Sequence, residues 1–78
     1  MLHELKTLPI YYDAVVSGTK TFELRKNDRN FQAGDFLELI RMESKTKTSI
    51  LVFVSSILYG GIYGLDKDYV ILSIKLLN

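Results

Sequence analysis

The sequence predicts a mainly β domain of the α+β class, a small mixed β-barrel with one helix placed early among five or six strands. Three observations carry that expectation. Apolar residues recur at helical steps only between Pro9 and Ser17. From Lys20 onward the period is two, in segments rich in β-branched and aromatic residues. The 78 residues, with one proline, five glycines and no linker-like stretch, suit one domain over 1–78 and leave no room for repeated βα units.

Leu2 to Lys6 reads as a short first strand, and Pro9 after it suits the first turn of a helix because its φ is already fixed near the helical value. Ile10, Tyr11, Ala14 and Val15, with Tyr12 and Val16 beside them, give that helix an apolar side, and Asp13 and Ser17 a polar one. Gly18 stands where a left-handed residue would end it. Two turns do not hold alone in water, so the helix must lie against a sheet or barrel wall.

In Lys20 to Arg25, Phe22 and Leu24 face one way while Thr21, Glu23 and Arg25 face the other. Asn27 to Asn30 makes a polar loop and Ala33-Gly34-Asp35 a turn. Phe36 to Met42, Ser49 to Tyr59 and Tyr69 to Leu76 read as strands, joined by Ser44 to Thr48 and by a glycine-bearing loop from Gly60 to Asp68. The first half of the Ser49–Tyr59 run is apolar on both faces, as expected of a central, bent strand serving two walls.

Composition narrows the chemistry. With no cysteine and a single histidine, disulfides, thiolate nucleophiles and most zinc sites are unsupported, so neither a metal nor another cofactor is expected. The longest apolar stretch is far short of the roughly 18 residues of a membrane span, and no basic leader precedes an apolar block. A soluble, cytoplasmic protein with no membrane partner is the expectation. The net charge of +1 is unevenly placed: Lys20, Arg25, Lys26 and Arg29 face only Glu23 and Asp28 within ten residues. An anionic partner would meet that segment.

Ser17 to Arg29 is thus the one chemically dense stretch. A Lys20/Glu23/Arg25 cluster in a cleft could hold phosphate through its cations and an amine or base edge through its carboxylate. The plainer reading, which patterning alone favours, is an exposed ion pair on a solvated strand. His3 and Lys6 could join the cleft from its other side, although a lone histidine near a terminus is more often structural. Tyr11, Tyr12, Tyr59, Tyr63 and Tyr69 could stack on bases, but patterning favours packing for them too. Gly60-Gly61 with Gly64 lacks the lysine and the following helix of a phosphate-cradling loop.

His3-Glu4-Leu5-Lys6, Leu8-Pro9, Asp13-Ala14-Val15, Gly18, the run Lys20 to Arg29, Phe31 and Gly34-Asp35 together closely resemble a compact bacterial and phage-borne branch of the ASCH (activating signal cointegrator homology) superfamily. Its core signature is Gly-x-Lys-x-x-Glu-x-Arg, matched here by Gly18, Lys20, Glu23 and Arg25. Gly64-Leu65 and Tyr69 to Leu72 extend the resemblance over nearly the whole chain. It implies a PUA-like β-barrel with a helix between the first two strands and a cleft between helix and barrel. Lys20, Glu23 and Arg25 would line that cleft, His3, Lys6 and Arg29 would flank it, and Gly18 would be structural.

The resemblance implies RNA, or a nucleotide-like ligand, as partner, by analogy of fold and cleft. Some relatives are instead amidohydrolases of acylated cytidine, with Lys-x-x-Thr in this region and a glutamate from a later strand. Here Glu23 stands in the threonine's place, and after Glu43 the only acids are Asp66 and Asp68. The first expectation is therefore a non-catalytic binding module. A small hydrolase of RNA or a modified nucleoside, using Lys20 and Glu23, is the second. A protein-interaction module comes third, a homodimer built on the apolar strand from Ile50 and the Leu76-Leu77 end.

Overall fold

In a computed structural model describing residues 1–77, every expected element forms, and the strands number five. Asn78, counted in the expected domain, lies outside the described residues. The elements are β1 (Leu2–Thr7), α1 (Pro9–Val16), β2 (Phe22–Lys26), β3 (Phe36–Arg41), β4 (Ser49–Tyr59) and β5 (Tyr69–Leu76). They build one mixed sheet in the order β1-β3-β4-β5-β2. β1 runs parallel to β3, and all other pairs are antiparallel.

The sheet curls because β4 is bent. Its register with β5 slips between Val54 and Ser56, leaving Ser55 as an extra residue, and a bulge of this kind increases local twist. The Gly34-Asp35 turn docks at the same point, through Gly34 N–H to Val54 O (2.8 Å) and Val54 N–H to Asp35 O (2.9 Å). The result is a half-barrel with β1 and β2 as its two edges. Among the described residues no backbone ladder joins those edges, so closure falls to side chains.

Period-two alternation fills the concave side. Leu37 and Leu39, Val52 and Val54, and Val70, Leu72 and Ile74 point inward from three adjacent strands. Phe31, from the loop after β2, plugs one end. Leu5 of β1 and Tyr12 and Val15 of α1 complete this core. Ile10, Tyr11 and Val16, counted with the apolar side of the helix, are exposed. The reason is geometric: an eight-residue helix presents about one residue per turn to a wall.

Pro9 opens the helix without a side-chain cap, and the C-terminus is tightly wound. Gly18, at φ +83°, donates to Val15 O, while the N–H groups of Thr19 and Lys20 both reach Ala14 O. A residue with a Cβ would be strained there, as the sequence predicts. This turn delivers Lys20 to the entrance of β2. No helix among the described residues is long and apolar enough to cross a membrane.

Candidate functional site

Where α1 meets the β1 and β2 edges, a cleft of about 420 Å³ opens. Its polar side is Lys6, Thr7, Lys20, Glu23 and Arg25, and its apolar walls are Leu8, Tyr11, Phe22 and Leu24. β2 produces this mixture by turning its charged face inward. Glu23 is only 4% exposed, whereas Phe22 and Leu24 are about half exposed, at 46% and 52%. The exposed-ion-pair reading of Glu23 and Arg25 is therefore overturned, because Glu23 sits across from Leu72 on the concave face. Thr21, expected on that face, is exposed ahead of the strand and takes no part.

A carboxylate placed there must be paired, and Glu23 is paired twice. Lys20 Nζ donates to Oε1 at 2.7 Å and Arg25 Nε to Oε2 at 3.2 Å. Lys20 Nζ also donates to Phe22 O. It lies 4.8 Å from the centre of the Phe22 ring and 5.6 Å from that of Tyr11, within cation–π range of both. Tyr11 thus belongs to the cleft rather than the core, and of the five tyrosines only Tyr12 is buried.

Arg25 also crosses the open seam of the half-barrel. Its Nη2 donates to Lys6 O and to Thr7 Oγ1, both at 3.1 Å. Arg29 repeats the device one step along, Nη1 to Glu4 O at 2.6 Å. The two guanidinium groups stand in for the missing ladder between β1 and β2 by occupying carbonyls on the free edge of β1. Among the described residues Arg25 Nη1 has no acceptor, and Lys6 keeps its ammonium free. Both residues line the cleft, so it has cationic donors left for an anion.

His3 is elsewhere, and its expected place beside the cleft is corrected. It is buried on the concave side of β1, Nε2 2.8 Å from Asp35 Oδ2, with its ring edge-on to Phe31 at 4.9 Å. Alternation along β1 sends His3, Leu5 and Thr7 inward, and only Thr7 is far enough along to reach the cleft. Burial alone would raise the Asp35 carboxyl pKa. Bonds from Gln32 N–H, His3 and the Met1 amino group outweigh it and hold that carboxyl below its ordinary value.

Of the six residues expected to bind, the structure thus brings Lys6, Lys20, Glu23 and Arg25 to one cleft, sets Arg29 on the adjoining seam, and sends His3 into the core. Sequence reasoning missed Thr7, Leu8 and the outward-turned Phe22 and Leu24. Thr7 carries a signal, since it extends the period that buries His3 and Leu5.

Fold and cleft together define a class: a small curled half-barrel with a helix-flanked, cation-lined cleft at its open seam. Within that class, the chain belongs to the family described as a domain of unknown function, DUF3850, whose sequence model matches residues 2–74. It is similar to an uncharacterized 12.9 kDa protein in the GpA 3′ region of Escherichia phage P2, 47% identical over 38 residues. That match spans 49% of this chain and 35% of the phage protein. Its fold is similar to the crystal structure of hypothetical protein PH0355, with a TM-score of 0.68 at 18% identity, covering 99% of this chain and 100% of that one.

Proposed function

We propose that this chain is a PUA-like binding module of the ASCH kind that takes RNA, or a nucleotide-like ligand, into the Lys20/Glu23/Arg25 cleft. One observation carries the reading: Lys6, Lys20 and Arg25 converge on an apolar-walled cleft of about 420 Å³. That volume lies in the ordinary range for small-ligand sites. Cations with spare donors suit phosphate, and the half-exposed Tyr11 and Phe22 give the cleft aromatic walls of the kind that receive unstacked bases. Arg29 on the seam extends the positive charge beyond the cleft mouth.

The reading is tested by fluorescence anisotropy of short single-stranded RNA against rising salt. Two or three phosphate contacts give an affinity loss of about tenfold between 50 and 200 mM salt, from a slope near −0.7 per contact on single strands. Arg25→Ala weakens binding further and lowers the slope by roughly one contact. Binding that ignores salt, or none at 50 mM, overturns the proposal.

A further inference from the structure

We propose that Glu23 makes the cleft a reader of guanine. A guanine, on an RNA strand or as a free nucleotide, would seat its N1–H and exocyclic amine on the Glu23 carboxylate. The inference rests on the nucleotide-binding reading above and adds the base that the site prefers.

A site built for phosphate alone would hold only donors. This one places a carboxylate among its cations, and a negative charge there repels phosphate. An ionised carboxylate accepts hydrogen bonds and donates none, with two lone-pair directions on each oxygen. Lys20 occupies one direction on Oε1 and Arg25 one on Oε2. No other donor among the described residues reaches either oxygen, so each keeps one lone-pair direction unused, and Glu23, though only 4% exposed, lines the cleft from which a base edge would meet it.

Two acceptors side by side select two donors side by side. Guanine alone among the four RNA bases presents that pair, N1–H beside the 2-amino group. Adenine and cytosine each offer one amine next to an acceptor nitrogen, and uracil places a carbonyl on either side of its one N–H. Uracil would set two acceptor oxygens against a carboxylate, which leaves buried polar groups unpaired and is the strongest basis for rejection. The surroundings suit a base as well. Phe22 and Tyr11 flank Lys20 at the cleft, and Lys6 and the free Nη1 of Arg25 remain for the phosphate.

A purely positioning role for Glu23, holding Lys20 and Arg25 in place, makes a different prediction and can be separated. The experiment is an amide-resolved NMR titration of the full chain with GMP, IMP, AMP, CMP and UMP at one low salt concentration. The same titration with the RNA hexamers UUGUUU and UUUUUU follows. GMP should bind about tenfold more tightly than UMP, with shifts centred on Lys20 to Arg25. IMP, which lacks only the 2-amino group, should lose about fivefold relative to GMP. Glu23→Gln, which replaces one acceptor by a donor, should abolish the preference for GMP while leaving residual binding of all five.

Either source of the base supports the inference: GMP matching UUGUUU assigns a free nucleotide, and UUGUUU far outstripping GMP assigns a strand. Equal affinity for the mononucleotides overturns guanine reading and leaves nucleotide binding standing. Uniform weakening by Glu23→Gln with the GMP/UMP ratio intact overturns it in favour of positioning. No shift with any nucleotide or hexamer overturns both. Should Glu23→Gln fail to fold, the GMP/IMP ratio on the unaltered chain decides.

Discussion

Asp35 shows what one side chain does at the end of the half-barrel away from the cleft. It takes bonds from His3 Nε2 at 2.8 Å, Gln32 N–H at 2.9 Å and the Met1 amino group at 3.2 Å, tying β1 to the turn that precedes β3. Its folded pKa lies below the unfolded value of about 3.9. The sign follows: the contribution is fully present above the unfolded value and is lost as pH falls through the folded one. Asp35→Asn should therefore destabilise the protein at pH 7 by about 1.5–3 kcal/mol, the range for hydrogen bonds to a charged group. The gap between the two proteins should close below about pH 4. Urea unfolding followed from pH 7 to pH 2 checks both statements; a gap that persists in acid would assign the effect to shape rather than charge. Nothing near His3 in the sequence announces this pair, because the partner lies 32 residues away. Glu23 is the opposite case, since both its partners are within three residues and the cluster is legible in the string Lys20 to Arg25.

Elements with a strong local signal were legible, and their orientation was not. β3, β4 and β5 follow from period-two runs of β-branched and aromatic residues, with bounds within a residue of those observed. In β2 the period is equally plain, but a period of two does not say which set faces in. The apolar set is outward here because the inward set lines a cleft where ions are paired. α1 hid its buried face for another reason: Ile10-Tyr11-Tyr12 and Val15-Val16 are apolar most of the way round, so no stripe stands out. The β4–β5 loop contains the most sharply constrained glycine. Gly60 N–H donates to Tyr69 O at 2.8 Å, and a Cβ at Gly60 would stand 1.8 Å from Asp66 O and 2.6 Å from Tyr69 O. Backbone oxygens cannot rotate aside as a side chain would. Gly60→Ala should cost about 3 kcal/mol, toward the upper end for overpacking, and lower Tm by roughly 15 °C for a domain this size. Calorimetry checks it; an unchanged Tm would mean that the loop can re-close around a methyl group.

At the scale of the whole molecule, the cleft and the closure of the fold are one device. A five-stranded sheet in the order β1-β3-β4-β5-β2 leaves its first and last members without an outer neighbour, and unpaired edges are a liability in small β proteins. Here the edges approach each other and are tied by Arg25 and Arg29 to the carbonyls of Lys6 and Glu4. The same Arg25 holds Glu23. Opening the seam and disordering the site are thus the same event, and a ligand that engages Arg25 acts on both. Stability should accordingly be graded across the sheet, highest where β4 pairs with β3 and β5 and lowest at β1 and β2. Native-state hydrogen exchange makes this measurable. In Arg25→Ala, the β3 and β1 amides that pair with each other, and the β2 amides that pair with β5, should exchange about tenfold faster, equivalent to losing one or two net hydrogen bonds at about 1 kcal/mol each. Amides between β4 and β5 should change less, because they open only with the whole fold. Equal acceleration at every amide would mean that the molecule unfolds as one unit and that the seam has no stability of its own to lose.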